Sequence, residues 1–198
     1  MIFLIATQNK HKKVEFERIL SPLGVEMKTA GDLNVDLPDV EETGTTFEEN
    51  ALLKARSGCE VSGYPTLADD SGLCVDALNG APGIFSARYS SDTDENGDDK
   101  ANNAKLLREL ADVPDEQRTA HYACAIAAVF PDGREFTVLG TVEGKIGYEE
   151  KGQGGFGYDP LFLYDGLTYA EVPPAVKDKT SHRSVALHRM CDILKEEL

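Results

Sequence analysis

The sequence predicts an α/β protein, and two stretches indicate this class. Residues 2–6 (IFLIA) form a continuous apolar run that is typical of a strand buried on both faces, and an amphipathic helical pattern and a second strand at 25–29 follow it. Residues 67–72 (LADDSG) predict another buried strand, which ends in two carboxylates, a hydroxyl and a glycine. Open α/β sheets bind their ligands at the carboxyl ends of strands, so these carboxylates mark a candidate site.

Composition and charge disfavour several classes of protein. The chain has 198 residues, 41% of them hydrophobic and 28% charged, which is enough for a substantial core in one domain or in two closely joined lobes. We predict a single domain over residues 1–198. The net charge of −15 disfavours nucleic acid and anionic membranes as partners. The apolar runs are too short for a membrane span or a signal peptide, which predicts a cytoplasmic protein.

The cysteines predict no metal or redox site. Cys59, Cys74, Cys124 and Cys191 are widely separated, and no pair of them has the spacing of a metal-binding or redox motif. We therefore expect reduced and mostly buried thiols, as is usual in the cytoplasm.

The first predicted helix begins with an unusual charge pattern. Asn9 is a good N-cap, but residues 10–13 (KHKK) place positive charges in the first turn, where they oppose the helix dipole. In so acidic a chain, this crowding favours a bound anion such as phosphate, which helix N-termini bind well. A basic turn that is open to solvent is the alternative, and this feature alone favours neither.

A second helix follows the polar and acidic segment 31–46. Thr45 or Thr46 can form a capping box with Glu48 or Glu49 at the start of this helix. Asn50 and Lys54 lie one turn apart on the helix, so we expect them to point together into a cleft.

The neighbouring carboxylates of Asp69 and Asp70 have two interpretations. Their repulsion predicts a raised pKa for at least one of them unless a cation lies between them, and such a pair suits a metal ion or the activation of water. The alternative is a solvated turn at the end of a strand, since Asp, Ser and Gly are common turn residues. Glu41 or Glu42 joins this site only if the fold brings it near Asp70.

The middle of the chain predicts structural elements without obvious chemistry. Residues 90–99 are predicted to form a polar loop, and a helix over 99–110 follows it. Its predicted inner face consists of three apolar residues, Ala104, Leu107 and Leu110. Apolar runs at 122–130 and 136–142, separated by a Pro-Asp-Gly turn, predict a β-hairpin.

Residues 152–160 (GQGGFGYDP) are the second informative stretch. Their four glycines let a backbone approach a ligand closely and present its N–H groups. Phe156 has no local packing partner in such a loop, so its ring is available to stack on a flat base. A flexible linker is the alternative, although linkers seldom contain Phe, Tyr and Pro together.

The last predicted helix repeats the charge pattern of the first. Ser181 is its expected N-cap, His182 and Arg183 place basic groups in its first turn, and Lys177 precedes it. Two such helix starts together with two carboxylates indicate a polyphosphate and its metal, and the glycine-rich loop indicates a base. The chain is therefore predicted to bind a nucleoside triphosphate.

These motifs resemble, nearly end to end and in order, those of the inosine triphosphate pyrophosphatase family, which hydrolyses non-standard purine nucleoside triphosphates to monophosphate and pyrophosphate. The matching segments are Thr7-x-Asn9-x-x-Lys12, Glu41-Glu42-Thr43-Gly44, Phe47-Glu48-Glu49-Asn50-Ala51, Ala68-Asp69-Asp70-Ser71-Gly72, Gly80-Ala81-Pro82-Gly83, Ser86-Ala87-Arg88-Tyr89, Gly155-Phe156-Gly157-Tyr158-Asp159-Pro160 and Ser181-His182-Arg183. Gln8 and Ser184 depart from the family pattern, because glycine is common at both positions. The Gln8 departure bears on substrate affinity more than on reaction type.

The resemblance implies a mixed central β-sheet with flanking helices, two lobes around a nucleotide cleft, and a homodimer. It implies Mg²⁺ as cofactor, with Asp70 as the catalytic general base and as a metal ligand. Glu41 is the expected second metal ligand, and Glu42 is the fallback. The implied substrate-binding residues are Thr7, Gln8, Asn9, Lys10, His11, Lys12, Ser71, Phe156, Gly157, Tyr158, Asp159, Lys177, His182 and Arg183.

The implied activity is the hydrolysis of ITP, dITP and XTP, which removes them from the nucleotide pool. Donors such as Lys177 or Arg183 would match the O6 acceptor of hypoxanthine and xanthine and oppose the amino group of adenine. Two alternatives stay open: a pyrophosphatase for other modified nucleotides, and a nucleotide-binding module without catalysis. The adjacent carboxylates disfavour the second, since binding alone needs no general base.

Overall fold

The computed structural model describes residues 1–7, 10–91 and 97–198, with the backbone alone at residues 10 and 11. The strands of this part of the chain are β1 (Ile2–Ile5), β2 (Glu26–Thr29), β3 (Thr66–Val75), β4 (Thr119–Val129), β5 (Glu135–Ile146), β6 (Phe162–Tyr164) and β7 (Leu167–Thr168). The α-helices are α1 (Lys10–Leu20), α2 (Phe47–Ser62), α3 (Asp99–Glu109), α4 (Pro174–Thr180) and α5 (His182–Glu197).

The seven described strands form one mixed sheet in the order β2-β1-β3-β4-β5-β6-β7. β1 is parallel to both of its neighbours, with Ile2 opposite Glu26 on β2 and Leu4 opposite Thr66 on β3. β6 is antiparallel to β5 and to β7. β4 and β5 are neighbours joined by a short turn, so the predicted hairpin is confirmed, as is the mixed sheet with flanking helices.

The chain divides into two compact units. Unit 1 comprises Met1–Asp70, Cys124–Gly140 and His182–Leu198, and unit 2 comprises Ser71–Ala123 and Thr141–Ser181. We describe each unit by itself. The single domain over residues 1–198 stays a prediction.

The core of unit 1 confirms the reading of the first apolar run. Phe3, Leu4 and Ile5 of β1 are at most 1% exposed, as expected for a strand buried on both faces. Phe16 of α1 and Met190 of α5 are fully buried in the same apolar cluster. The core therefore fixes α1 and α5 against the sheet, and both helices carry charged residues of the candidate site.

The core of unit 2 is aromatic. Three rings contact one another: the centroid of Tyr122 is 4.6 Å from that of Phe162 and 5.9 Å from that of Tyr169, and the centroids of Phe162 and Tyr169 are 5.0 Å apart. Leu106 of α3 is fully buried in the same cluster. This packing fixes α3 and β4 beside the segment that contains the glycine-rich stretch.

The start of α2 follows the predicted capping pattern. The Thr46 hydroxyl accepts a hydrogen bond from the Glu49 backbone N–H at 3.2 Å, as an N-cap does. The Glu49 carboxylate accepts bonds from the backbone N–H of Thr45 at 2.6 Å and from its hydroxyl at 2.9 Å. The cap sets the register of α2, and with it the direction of the side chains one turn further on.

Two predictions about the elements are wrong. β3 does not end at the carboxylates but continues through Gly72 to Val75, because the residues after the carboxylates are themselves buried in the sheet. The inner face of α3 is not apolar throughout: Ala104 is exposed, and its place is taken by the buried Asn102 and Asn103. Hydrogen bonds to neighbouring loops, which the apolar spacing does not encode, explain these buried amides.

No helix among the described residues is long and apolar enough to cross a membrane.

A single glycine limits the approach of β5 to α5. A Cβ atom on Gly140 would overlap the carbonyl oxygen of His182 and the backbone nitrogen of Ala186, which form the first turn of α5. No side chain fits there without moving the helix start. Gly140 therefore holds the beginning of α5 close to the sheet.

We expect Gly140→Ala to lower the free energy of unfolding by about 1–3 kcal/mol, since overpacked sites must shift the backbone. Urea denaturation measures this. Gly147→Ala is the matched control, because its Cβ would meet its nearest neighbour at an ordinary 3.5 Å. Equal stability of the two variants would contradict the close packing of β5 on α5.

Candidate active site

The two adjacent carboxylates lie on opposite faces of the sheet. Consecutive side chains of a strand alternate between its faces, and Asp69 and Asp70 both belong to β3. Asp69 contacts side chains of α1 and α5, whereas Asp70 contacts side chains of α2. The expectation of one shared carboxylate pair is therefore wrong, and each carboxylate has its own surroundings.

The carboxylate site consists of Glu42, Asn50, Lys54 and Asp70. The Lys54 ammonium lies 3.0 Å from Asp70 Oδ1 and 3.0 Å from Glu42 Oε1, so it bridges the two acids. Asn50 Nδ2 is 3.5 Å from Asp70 Oδ2. The prediction that Asn50 and Lys54 point to the same place is confirmed, and the place is Asp70.

The surroundings of Asp70 favour its protonated form. Burial raises the pKa of Asp70 above its usual value, and the neighbouring Glu42 charge adds to this, while Lys54 opposes it. A carboxylate with a raised pKa, only 8% exposed, is a stronger base than an ordinary aspartate and is suited to accept a proton.

The carboxylate site borders a cavity in unit 1 of about 500 Å³. Its lining includes Thr7 at the end of β1, and both Glu42 and Lys54. The structure therefore brings Glu42 to Asp70 through a common cation, whereas Glu41 is exposed. Glu42, which the sequence offered as the fallback, is the better placed second acid.

The donors of the carboxylate site suit a hard cation. Mg²⁺ is usually held by one or two carboxylates together with substrate phosphates, and Glu42 and Asp70 already converge on the positive charge of Lys54. Within residues 1–7, 10–91 and 97–198, no three His, Cys, Asp or Glu side chains form a metal-binding group. Glu42 and Asp70 therefore suit a metal ion whose remaining ligands come from the substrate phosphates.

The buried ion cluster consists of Lys12, Glu15, Asp69 and Arg183. Asp69 Oδ2 lies 2.9 Å from the Lys12 ammonium and 3.4 Å from the Arg183 guanidinium. Arg183 NH1 also contacts the Glu15 carboxylate at 3.1 Å. The cluster has two cations and two anions, so the charges of Lys12 and Arg183 are compensated within the protein.

The electrostatics of the cluster keep Asp69 ionised. Its burial raises the pKa of Asp69, but Lys12 and Arg183 outweigh this and hold the pKa well below its usual range. Burial raises the pKa of the nearby Cys124 to about 12, so this thiol stays protonated beside the carboxylate. All four cysteines are free thiols. Asp69 therefore acts as a fixed anion that orients two basic side chains.

The remaining residues of the predicted phosphate site are only partly described. Gln8 and Asn9, and the side chains of Lys10 and His11, lie outside the described residues. Thr7 borders the cavity described above, and Ser71 is half-buried on β3.

The glycine loop, residues 152–157, presents one aromatic ring to solvent. Phe156 is 54% exposed and lies between two glycines with positive φ, 78° at Gly155 and 60° at Gly157. Tyr158 is only 4% exposed, and its hydroxyl donates to the Ser86 carbonyl at 2.8 Å. In this structure Tyr158 anchors the loop, and Phe156 is the residue available for stacking.

The Asp159 carboxylate collects three donors beneath the loop. Lys177 Nζ lies 2.7 Å from Asp159 Oδ2, and the backbone N–H of Phe156 donates to the same oxygen at 3.3 Å. The Tyr122 hydroxyl donates to Oδ1 at 3.2 Å. Burial and this carboxylate raise the pKa of Tyr122 well above its usual value, which keeps it a donor.

Several functional contacts were not foreseen from the sequence. Glu15 lies on the polar side of α1, and Tyr122 lies in an apolar strand pattern, so neither carries a local signal. His182, predicted as a basic group in the first turn of the last helix, is only 9% exposed. Only tertiary contacts identify the partners of such residues.

Three comparisons relate the chain to known proteins. A model described as the Ham1 family matches residues 3–193. The chain is 51% identical to a dITP/XTP pyrophosphatase of Nocardia farcinica over 96% of this chain and 93% of that protein. It is 50% identical to a dITP/XTP pyrophosphatase of Geobacter sulfurreducens over 96% and 95% of the two chains.

Solved structures agree with this relationship. The Ham1 protein of Staphylococcus aureus superposes with a TM-score of 0.90 at 38% identity, with both chains fully covered. A nucleoside-triphosphatase, also described as a dITP/XTP pyrophosphatase, from Mycobacterium abscessus has a TM-score of 0.80 at 46% identity over 96% of this chain and 98% of that one.

We expect Asp69→Asn to lower the free energy of unfolding at pH 7 by about 3–5 kcal/mol, because Lys12 and Arg183 then lack their buried counter-charge. The lowered pKa of Asp69 contributes stability above the ordinary Asp pKa of about 4, and this stability is lost as the pH falls. The variant should therefore lose less stability on acidification than the parent.

Urea denaturation between pH 2 and pH 7 tests this expectation, over a range that extends from about two units below the ordinary carboxyl pKa to about three units above it. Asp112→Asn is the control, since Asp112 is exposed and its replacement should change stability by less than about 0.5 kcal/mol. Parallel pH profiles for parent and Asp69→Asn would show that Asp69 is not the fixed anion of the cluster.

Proposed function

The chain belongs to the Ham1 family, and on this premise we propose that it hydrolyses non-standard purine nucleoside triphosphates, such as dITP, ITP and XTP, to the monophosphate and pyrophosphate. The observation that carries the proposal is the carboxylate site. Asp70 has a raised pKa, lies 3.0 Å from the Lys54 ammonium, and shares that cation with Glu42. Such a site suits proton abstraction from water beside a highly charged substrate.

Asp70 is the proposed general base. It orients a water molecule and accepts its proton as the water oxygen attacks phosphorus and the bond to the departing pyrophosphate breaks. Lys54 stabilises the negative charge that develops on the phosphate oxygens, and Asn50 holds the second oxygen of Asp70. Lys12, oriented by Asp69, contributes a further positive charge for the phosphates.

Glu42 and Asp70 would hold the proposed Mg²⁺, with Glu41 as the alternative to Glu42. Mg²⁺ bound there supplies charge neutralisation for the triphosphate. Lys54 then interacts with substrate phosphate as well as with the two acids, since its ammonium has three donors.

The glycine loop is the proposed base site. The exposed Phe156 ring is available to stack on a purine. Of the two donors predicted to face O6, Lys177 is the better candidate. Its side chain is 21% exposed and pairs, among the described residues, with the single acid Asp159, whereas that of Arg183 is 5% exposed and pairs with both Asp69 and Glu15. A donor at O6 favours hypoxanthine and xanthine over adenine, whose amino group is itself a donor.

The remaining binding residues, the oligomeric state and the location are also proposals. Phosphate binding by Thr7, Gln8, Asn9, Lys10, His11 and Lys12, and substrate contacts of Ser71 and His182, follow from the resemblance. So do the homodimer and the cytoplasmic location. The non-catalytic module and the pyrophosphatase for other modified nucleotides become outcomes of the experiment below.

Product analysis tests the proposal directly. The protein is incubated with Mg²⁺ and, separately, with ITP, dITP, XTP, ATP and GTP, and the products are resolved by ion-exchange chromatography. We expect monophosphate and pyrophosphate from the first three and little from ATP or GTP. Asp70→Asn should lower kcat by a factor of about 10²–10⁴, the usual contribution of a general base. The surface variant Asp112→Asn should leave kcat unchanged.

Other outcomes identify the alternatives. Similar rates with all five nucleotides, or with other modified nucleotides, would contradict the base specificity. Nucleotide binding without pyrophosphate release would favour the non-catalytic module. Near-normal turnover by Asp70→Asn would remove Asp70 from the role of base.

The pH dependence of kcat/KM gives a separate prediction. Asp70 acts when deprotonated, so activity should fall as the pH falls through its raised pKa, above the ordinary Asp range of about 4. Lys54 lowers the pKa of Asp70, so Lys54→Met should move this acidic limb to higher pH by about one unit, besides lowering kcat. Lys195→Met, on the exposed end of α5, should leave the limb unchanged. A limb that stays in place in Lys54→Met would contradict Asp70 as the titrating base.

A further inference from the structure

The backbone of one residue in the glycine loop is held from both sides by α3. The N–H of Gly157 donates to Asp99 Oδ2 at 2.8 Å, and the carbonyl oxygen of Gly157 accepts from Asn103 Nδ2 at 3.2 Å. Asp99 and Asn103 lie four residues apart, so they occupy the same face of α3, one turn from each other. Both polar groups of the Gly157 backbone are thus fixed by a single helix.

The orientation of the Asn103 amide follows from its partners. Its Nδ2 also donates to Glu150 Oε1 at 2.9 Å. Carbonyl and carboxylate oxygens only accept, so the NH₂ group of Asn103 must face both of them. Asn103 is 3% exposed, and its other amide atom, Oδ1, has no hydrogen-bond partner among the described residues.

This arrangement has a thermodynamic cost. A buried amide oxygen without a partner destabilises the fold, and an apolar residue on the inner face of α3 would avoid that cost. Each buried polar atom without a partner in a folded protein calls for an explanation. Asn103 can act on the conformation of the glycine loop, because its amide binds the Gly157 carbonyl.

The exposed ring of Phe156 depends on this conformation. Phe156 lies next to Gly157, and the positive φ values of both flanking glycines mark backbone that glycine adopts more readily than other residues. Because the ring is more than half exposed, packing alone does not orient it. Its backbone is held instead on one side by Asp159, through the Phe156 N–H, and on the other by Gly157.

We propose that Asp99 and Asn103 are positioning residues, which hold Gly157 so that the Phe156 ring is oriented to stack on the purine of the substrate. This inference rests on the proposed function for the identity of the ligand. Neither residue touches the reacting atoms, so their loss should weaken nucleotide binding and leave the chemical step nearly unchanged. Preorganisation of a stacking residue lowers the ordering cost of binding.

The absence of tryptophan from the chain makes a direct test possible. Phe156→Trp introduces a single tryptophan at the stacking position, and its emission can be excited selectively over that of the seven tyrosines. Titration of this protein with ITP in EDTA, where turnover is suppressed, should quench its emission saturably. Added to this background, Asn103→Ala should raise the Kd about tenfold, a usual loss for a displaced positioning group. Asp99→Ala should raise it in the same direction, and Asp99→Asn should restore it, since an amide oxygen still accepts from Gly157.

Asn102→Ala is the matched control. Asn102 is equally buried on the same helix, but its amide bonds to the Ser90 N–H and to the Ser86 and Ala87 carbonyls, not to the glycine loop. It should lower thermal stability at least as much as Asn103→Ala, since both of its amide atoms have partners, and leave the Kd unchanged. In the Phe156 parent, Asn103→Ala should raise KM about tenfold with kcat within about twofold.

The outcomes separate this inference from the proposed function. An unchanged Kd in Asn103→Ala, or an equal rise in Asn102→Ala, would overturn the positioning role. Normal turnover with no quenching in the Phe156→Trp parent would also overturn it and leave the proposed function intact. Quenching that depends on Asn103, in a protein that releases no pyrophosphate, would support the positioning role and contradict the proposed function.

Discussion

The two-residue period of β3 is the constraint on which the arrangement of unit 1 depends. It sends Asp69 to the face covered by α1 and α5 and Asp70 to the face covered by α2. Two carboxylates that are neighbours in sequence therefore perform different tasks. One is a permanently charged anchor for basic side chains, and the other has the raised pKa that suits a base. A shift of one residue in the strand register would exchange these surroundings.

Much of the fold was predictable because it depends on local patterns. The apolar run of β1, the helices α1 and α2, the Thr46 cap and the β4–β5 hairpin all follow from periodicity and turn chemistry. The continuation of β3 was missed because Asp, Ser and Gly usually end strands, and here burial on both sides overrides that preference. The asparagines of α3 were missed because apolar spacing does not register hydrogen bonds to distant loops.

In the candidate site too, local features were predictable from the sequence and tertiary contacts were not. Part of the site was predictable: Asn50 and Lys54 point to the same place, as expected, and the structure shows that this place is Asp70. Their pairing partners were not, since the choice of Glu42 over Glu41 depends on the path of an irregular segment. The two basic helix starts were interpreted as anion sites, yet Arg183 and Lys12 already have an internal anion in Asp69. Basic residues at a helix start indicate a nearby negative charge, but the sequence does not show whether the protein or a ligand supplies that charge.

The buried ion cluster can form only after Arg183 has been synthesised. Its members come from positions 12, 15, 69 and 183, and unit 1 includes the last residues of the chain. While the first 70 residues emerge from the ribosome, Asp69 lacks the guanidinium that later neutralises it, and the apolar cluster lacks Met190 and Leu194 of α5. A nascent or truncated chain without α5 thus exposes its core and carries an unbalanced carboxylate, which makes it a substrate for chaperones and proteases. The C-terminal helix therefore completes both the apolar core of unit 1 and the charge balance of the buried ion cluster.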